Sequence, residues 1–320
     1  MTRPLRAAGL ALALLAGPAA AQDYPNRPVR IVLPFGAGGV ADITARVVAE
    51  RLGDRLGQRF VIENIPGAGG IAAARAVLSA QPDGYTLALV TNGTAVSAGL
   101  FKSLPFDPLN DFVPISSLGT FDFVVATGAD SAFRTMADVV AFARANPGKL
   151  NAGTINVGST QNLSAELLKS AAGIQFQIVP FRATPEVLIA GVRKDVDVLI
   201  ENYAAMRANL QDGKLRALAT TGGTKSVLLK DVPTVQEAGV EGYDVVSWNA
   251  LFAPRGTPRE AIETLNRAVA EVLAMPAVKE RLLGLGIEAK ASTAREIQER
   301  LRSDIAKWSK VVEQAGIPKQ

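Results

Sequence analysis

The chain contains no cysteine and no histidine among its 320 residues. Those two absences remove much of the common catalytic and metal chemistry. Without cysteine there is no disulfide, no thiolate nucleophile and no lipid anchor on a cysteine. Without histidine the commonest general base and zinc ligand are missing, so Ser-His-Asp and Cys-His sites are excluded and only carboxylate- or lysine-based catalysis stays open. No metal site and no cofactor is expected. An excess of one charge sign is also missing, with 34 Lys+Arg against 30 Asp+Glu. A nucleic-acid binder shows a basic stripe or patch; these charges are spread along the chain, so no nucleic-acid partner is expected. Beyond the first residues no apolar run approaches the ~20 residues that cross a bilayer, and no direct membrane insertion is expected.

What is present begins with a targeting pattern. Arg3 and Arg6 precede an apolar core from Ala8 to Leu15, and Ala19-Ala20-Ala21 supplies small residues for cleavage. Residues 1–21 are therefore expected to be a signal peptide, with the mature chain starting at Gln22 in the periplasm. Removing Arg3 and Arg6 leaves 32 Lys+Arg against 30 Asp+Glu, a formal charge of +2. A mature chain of roughly 300 residues can bury enough surface without covalent staples and suggests two domains.

Along the chain, apolar runs alternate with helical periodicity. Val29–Leu33 reads as a buried strand, and Ile43, Val47, Val48, Leu52 and Leu56 as one face of a helix. Strand Phe60–Glu63, helix Ile71–Ser79 and strand Tyr85–Val90 follow, the last running into an expected loop at Thr91-Asn92-Gly93-Thr94. A second α/β unit has strands at Phe123–Ala126, Leu150–Thr154, Ile178–Phe181, Val196–Ile200 and Leu215–Thr220. The strand Val245–Ala253 leads to long helices at Glu260–Met275, Ala277–Leu285 and Thr293–Gln314. Strands that each end in a polar or glycine-rich loop predict a parallel sheet with a shared ligand edge. The two halves echo each other near residues 35 and 158. This predicts two lobes facing a cleft, with crossings near Phe121–Ala126 and Val245–Phe252.

The segment Pro34-Phe35-Gly36-Ala37-Gly38-Gly39-Val40-Ala41-Asp42 carries the most functional information. A strand that passes through glycines into a helix aims backbone N–H groups and the positive helix end at one spot, which suits an anion. Gly36 to Ala41 also satisfies the dinucleotide fingerprint G-x-G-x-x-G/A, with Glu63 where a ribose-binding acid belongs. Export, further loops at the same edge and the missing histidine argue against that reading. Gly67, Gly69 and Gly70 fit a tight turn as well as a ligand loop. Gly158-Ser159-Thr160 fits a helix cap as well as a second cradle. Glu201 and Asn202 end a strand, leaving a ligand contact and a solvated loop both open. Arg182 is either a carboxylate partner or an exposed arginine. Phe35 either walls a pocket or plugs the core, and Trp248 reads as core or hinge packing.

Ordered along the chain, Tyr24-Pro25-Asn26-Arg27-Pro28-Val29-Arg30, Pro34–Asp42, Glu63-Asn64 with Gly67-Ala68-Gly69-Gly70, and Pro82-Asp83-Gly84-Tyr85-Thr86-Leu87 resemble a known family. Gly213–Ala219, Val232-Pro233-Thr234 with Glu237-Ala238-Gly239, and Ala253-Pro254 with Gly256-Thr257-Pro258 extend the match. The chain resembles the periplasmic substrate-binding proteins of tripartite tricarboxylate transporters, also called Bug receptors. The resemblance implies an α/β, two-lobed type II periplasmic binding protein fold, with residues 22–124 and 247–320 in one lobe and 125–246 in the other. It implies a small carboxylate held by loop backbone groups and bridging waters, with Phe35, Gly36, Ala37, Gly38, Ala41 and Asp42 on one jaw and Ser159 and Thr160 on the other. Gly39, Asn92, Arg182 and Glu201 complete the candidate set. Two positions depart from the family pattern: Asn162 stands where a histidine is frequent, and Pro180-Phe181-Arg182-Ala183-Thr184 replaces a Pro-Tyr-Lys-Gly stretch.

The expected function is a monomeric periplasmic solute receptor, not an enzyme, that captures a small organic acid for the membrane components of such a transporter. The alternatives are a ligand sensor feeding a signalling partner, and an enzyme using carboxylate or lysine chemistry.

Overall fold

The computed structural model describes residues 24–320; the expected signal peptide at 1–21 lies outside the described residues. The first strand, β1 (Val29–Leu33), is followed by α1 (Val40–Leu56) and β2 (Phe60–Asn64), then by α2 (Ile71–Leu78), β3 (Thr86–Thr91) and α3 (Asn92–Leu100). The long strand β4 (Phe112–Gly128) leads to α4 (Met136–Ala145), β5 (Asn151–Ile155), α5 (Thr160–Ala172) and β6 (Gln177–Phe181). Next are α6 (Thr184–Arg193), β7 (Val198–Asn202), α7 (Tyr203–Gln211), β8 (Leu215–Thr220) and β9 (Val246–Pro254). The chain finishes with α8 (Arg259–Ala274), α9 (Pro276–Leu283), the short β10 (Glu288–Ala289) and α10 (Ala294–Gln314).

The strands run in the order β2-β1-β3-β9-β4-β7-β5-β6, with β8 and β10 also paired to β4. As the apolar runs predict, β1 is parallel to both β2 and β3, and β5 is parallel to β6 and β7. The molecule is a mixed α/β fold of two lobes. One strand joins them: β4 pairs with β9 from Phe112 to Asp122, then with β7 and β8 from Phe123 onward.

Two expectations are amended. The strand foreseen at Phe123–Ala126 is the tail of β4, which starts at Phe112. Its first half escapes alternation because the register shifts at Pro114/Ser116 and at Ser117/Gly119, and each bulge resets which side chains face the core. Thr91–Thr94, foreseen as a loop, opens α3. Thr91 and Thr94 form a capping box, and Ala95, Val96 and Leu100 are buried, so packing overrides the poor helix propensity of Asn-Gly-Thr.

Besides a small cluster of Val124, Leu199, Met206 and Leu215, two larger bodies of core hold the elements. In one, Leu52 of α1 and Leu265 and Val269 of α8 cover Ile31 and Leu33 of β1. The other is continuous between the lobes, running from Val90 of β3 through Leu301 and Trp308 of α10 to Phe123 and Ile200. The buried positions 297, 301, 304, 308, 311 and 312 of α10 recur at three- and four-residue intervals and give it one inward face.

Candidate functional site

Each jaw of the cleft is a turn that the following helix fastens by the same device. In the first, Gly38 has φ +88, a left-handed conformation that suits a residue without Cβ. Its N–H donates to Asp42 Oδ2 at 2.9 Å. In the second, Gly158 has φ +81 and its N–H donates to Asn162 Oδ1 at 3.1 Å. Both bonds span four residues, so the two loops are local copies of one another. One is closed by an acid, the other by an amide.

Four helices begin at the cavity between these jaws. Its lining includes Gly39, Thr91, Ser159 and Asn202, which are the N-cap residues of α1, α3, α5 and α7. Each helix start carries roughly half a positive charge from its aligned peptides. Three of the four are capped by a side chain: Thr91 accepts from Gly93 N–H, Ser159 from Asn162 N–H, and Asn202 from Ala205 N–H. The fourth, α1, has Gly39 as N-cap and no side-chain cap. The first turn of α1 therefore meets the cavity at Val40 and Ala41 without the oxygen that caps the other three.

The cavity measures about 600 Å³, and among the described residues no Lys, Arg, Asp or Glu side chain lines it. Its polar side chains are uncharged, among them Ser159, Thr160, Gln161, Asn202, Ser247 and Asn249. Ser247 and Asn249 alternate on β9, so both face the cleft while Trp248 between them points away. Trp248 is buried and its Nε1 donates to Asp304 Oδ2 of α10 at 2.7 Å, in line with the packing role foreseen for it.

The candidate residues divide into two groups. Phe35, Gly39, Ala41, Ser159 and Thr160 line the cavity together. Gly36, Ala37 and Gly38 are exposed on the first loop but are not part of the lining. Asp42 is 2% exposed and turned into its own loop, where its oxygens accept from Gly38 N–H, Arg46 Nε and Asn64 Nδ2. Burial raises its carboxyl, but these hydrogen bonds and the Arg46 charge bring it down to about 2. Its charge thus satisfies an N–H that a ligand would otherwise use.

Glu201 lies fully buried behind the second jaw. Its carboxyl accepts from Gln161 Nε2 at 2.8 Å, Thr184 Oγ1 at 2.7 Å and Asn202 Nδ2 at 2.7 Å. It positions two lining amides rather than facing the cavity. Asn92 is buried too, donating from Nδ2 to Thr160 Oγ1 at 3.0 Å and accepting from Trp308 Nε1 at 2.8 Å. Arg182 is exposed and outside the lining; its backbone N–H donates to Glu186 Oε2.

Sequence reasoning missed Phe101, Phe121, Phe123, Gln161, Ser247 and Asn249, all of which line the cavity. The alternation Phe121-Asp122-Phe123 was a usable signal, since two phenylalanines two apart share one strand face. Among the described residues no group of three acidic side chains converges to hold a metal ion.

Comparison with known proteins agrees with this architecture. The family model described as the tripartite tricarboxylate transporter family receptor matches residues 44–317. Protein BugT of Bordetella pertussis is 32% identical over 320 residues, covering 99% of this chain and 98% of that protein. The solved structure of R. palustris Rpa4515 with adipate superimposes with TM-score 0.81 at 34% identity, covering 92% of this chain and 99% of that one. MatC (Rpa3494) from Rhodopseudomonas palustris with bound malate gives TM-score 0.76 at 31% identity, covering 90% and 100%. A two-lobed fold, a neutral cavity ringed by helix starts and a match along nearly the whole chain lead to one conclusion: the protein belongs to the tripartite tricarboxylate transporter receptor family, the Bug receptors.

Proposed function

We propose that this chain is a periplasmic receptor that traps a small organic carboxylate between its lobes and delivers it to the membrane components of a tripartite tricarboxylate-type transporter. The observation that carries the reading is the uncapped start of α1 at a cavity where three other helices also begin. A ligand carboxylate at Val40 and Ala41 supplies the missing cap, accepting N–H groups that point along a 17-residue helix. Hydrogen bonds to an anion are about twice as strong as neutral ones, so the site needs no arginine. The bound acids of the two solved relatives, adipate and malate, support a carboxylate as the ligand class.

In this reading the lobes are residues 22–124 with 247–320, and 125–246, hinged where β4 changes partners and where β9 begins. The ligand favours the closed form because only that form brings the starts of α1 and α5 to it together. In this reading the receptor is exported through its signal peptide, acts as a monomer and is not an enzyme.

A thermal-shift screen of mono-, di- and tricarboxylates against their neutral amides tests the reading. A true ligand at 100 times its Kd adds about 2.7 kcal/mol, and its amide adds much less. Stabilisation by no organic acid, or equal stabilisation by acid and amide, would overturn it.

A further inference from the structure

The cavity has a second character besides its neutral polar wall. Four of the twelve phenylalanines of the chain, Phe35, Phe101, Phe121 and Phe123, line it. Phe121 and Phe123 stand edge to face on β4 with ring centroids 5.9 Å apart, forming an aromatic floor where the strand passes between the lobes. Phe35 is 37% exposed at one jaw and Val157 is 50% exposed at the other. Both line the same cavity. Large apolar side chains left uncovered on opposed walls mark a surface that awaits an apolar partner.

Charge points the same way. The lining carries no cation that could meet a second or third carboxylate. Directly behind it, the first jaw holds the ionised Asp42 and the second holds the carboxyl group of Glu201. A second or third carboxylate placed wholly inside would meet only uncharged donors and helix starts already capped by side chains, and burying a charge without a counter-charge is costly.

We infer that the ligand is a carboxylate with one charged end, held at the helix starts, and an apolar body of ring or medium-chain size packed on Phe35, Phe101, Phe121 and Phe123. This rests on the receptor reading above and adds the chemistry of the rest of the molecule. Covering an apolar side chain of that size is worth between about tenfold and a hundredfold in affinity.

Titration calorimetry of the full mature chain with phenylacetate, hexanoate, phenylacetamide, malate and citrate separates the two layers. Phenylacetate or hexanoate is expected to bind at least about tenfold more tightly than malate or citrate, with phenylacetamide weaker than phenylacetate. Phe35→Ser and Val157→Ser, both at exposed positions, are expected to weaken the apolar acids several-fold. Malate or citrate binding as tightly as the apolar acids overturns the apolar body while the receptor reading stands. Binding of no acid at all overturns both. Unchanged affinity in both variants removes the phenylalanine wall from the site.

Discussion

Asn92 Nδ2 donates to Thr160 Oγ1 at 3.0 Å, and the same amide accepts from Trp308 Nε1 at 2.8 Å. One buried side chain therefore ties the start of α3, the start of α5 and the long C-terminal helix α10. Because α3 and α5 flank the cavity from opposite lobes, this amide lies where the jaws touch.

The two bonds of Asn92 should separate on mutation. Asn92→Ala leaves the buried Trp308 N–H without an acceptor, which costs about 1–3 kcal/mol. Thr160→Val leaves Trp308 satisfied but removes the acceptor of Asn92 Nδ2, so its stability cost should be about 1 kcal/mol, the low end of that range because Thr160 is only half-buried, while ligand affinity falls. Urea unfolding and calorimetry on the two variants check both parts. Equal stability losses would place the importance of Asn92 elsewhere.

Glycines in the two jaws should differ in tolerance. Gly158 has φ +81, and a Cβ there would overlap the Leu100 side chain of the opposite lobe. Gly158→Ala should hold the jaws apart through the Leu100 clash and weaken ligand binding, and the backbone strain at such a φ should separately cost roughly 1–2 kcal/mol of stability. A methyl at Gly36 meets nothing within 4 Å, so Gly36→Ala should bind as the unmodified chain does.

Asp42 gives the first loop a pH-dependent fastening. Its carboxyl sits at about 2 when folded, against 3.8 without the fold. A carboxyl lowered by folding stabilises the native state above its unfolded value and loses that contribution as pH falls from near 3.8 towards 2. The full contribution is about 1–2 kcal/mol, towards the lower end because Arg46 is half exposed. Asp42→Ala should lose this amount at neutral pH, measured by urea midpoint, and should differ less from the unmodified chain at pH 2.

Asp122 has the opposite sign. It points away from the aromatic floor into a second cavity of about 200 Å³. Burial, then the charges of Asp244 and Glu288, raises its carboxyl to about 6. The folded state holds this proton more tightly than the unfolded chain, so stability falls as pH rises from about 3.8 through 6. Asp122→Asn should therefore stabilise the protein at pH 7.5, by no more than about 2–3 kcal/mol, with little gain at pH 4. A gain over the unmodified chain no larger at pH 7.5 than at pH 4 would contradict the assignment.

Much of this fold was readable in order along the chain. Val29–Leu33 and Leu215–Thr220 are strands at the foreseen bounds, because an unbroken apolar run between turn residues encodes itself locally. Residue type narrowed the cap of α5 to Ser159 or Thr160, and it is Ser159 that accepts from Asn162 N–H. The bulged half of β4 and the start of α3 were not legible. There the local pattern conflicts with the final state, and contacts with β9 and α10 decide it.

The sequence by itself determined the two α/β units, the glycine turns that open α1 and α5, and a chemistry without thiol or imidazole. These follow from residue type and spacing within a few positions. The tertiary structure decided which groups meet the ligand. It turned Asp42 into its own loop and Glu201 onto Gln161 and Thr184, and brought Phe35, Phe121, Ser159 and Asn249 around one cavity. Those residues lie up to 214 positions apart, and no local rule relates them. Only the pairing of β4 with β9 on one side and β7 on the other places them around one space.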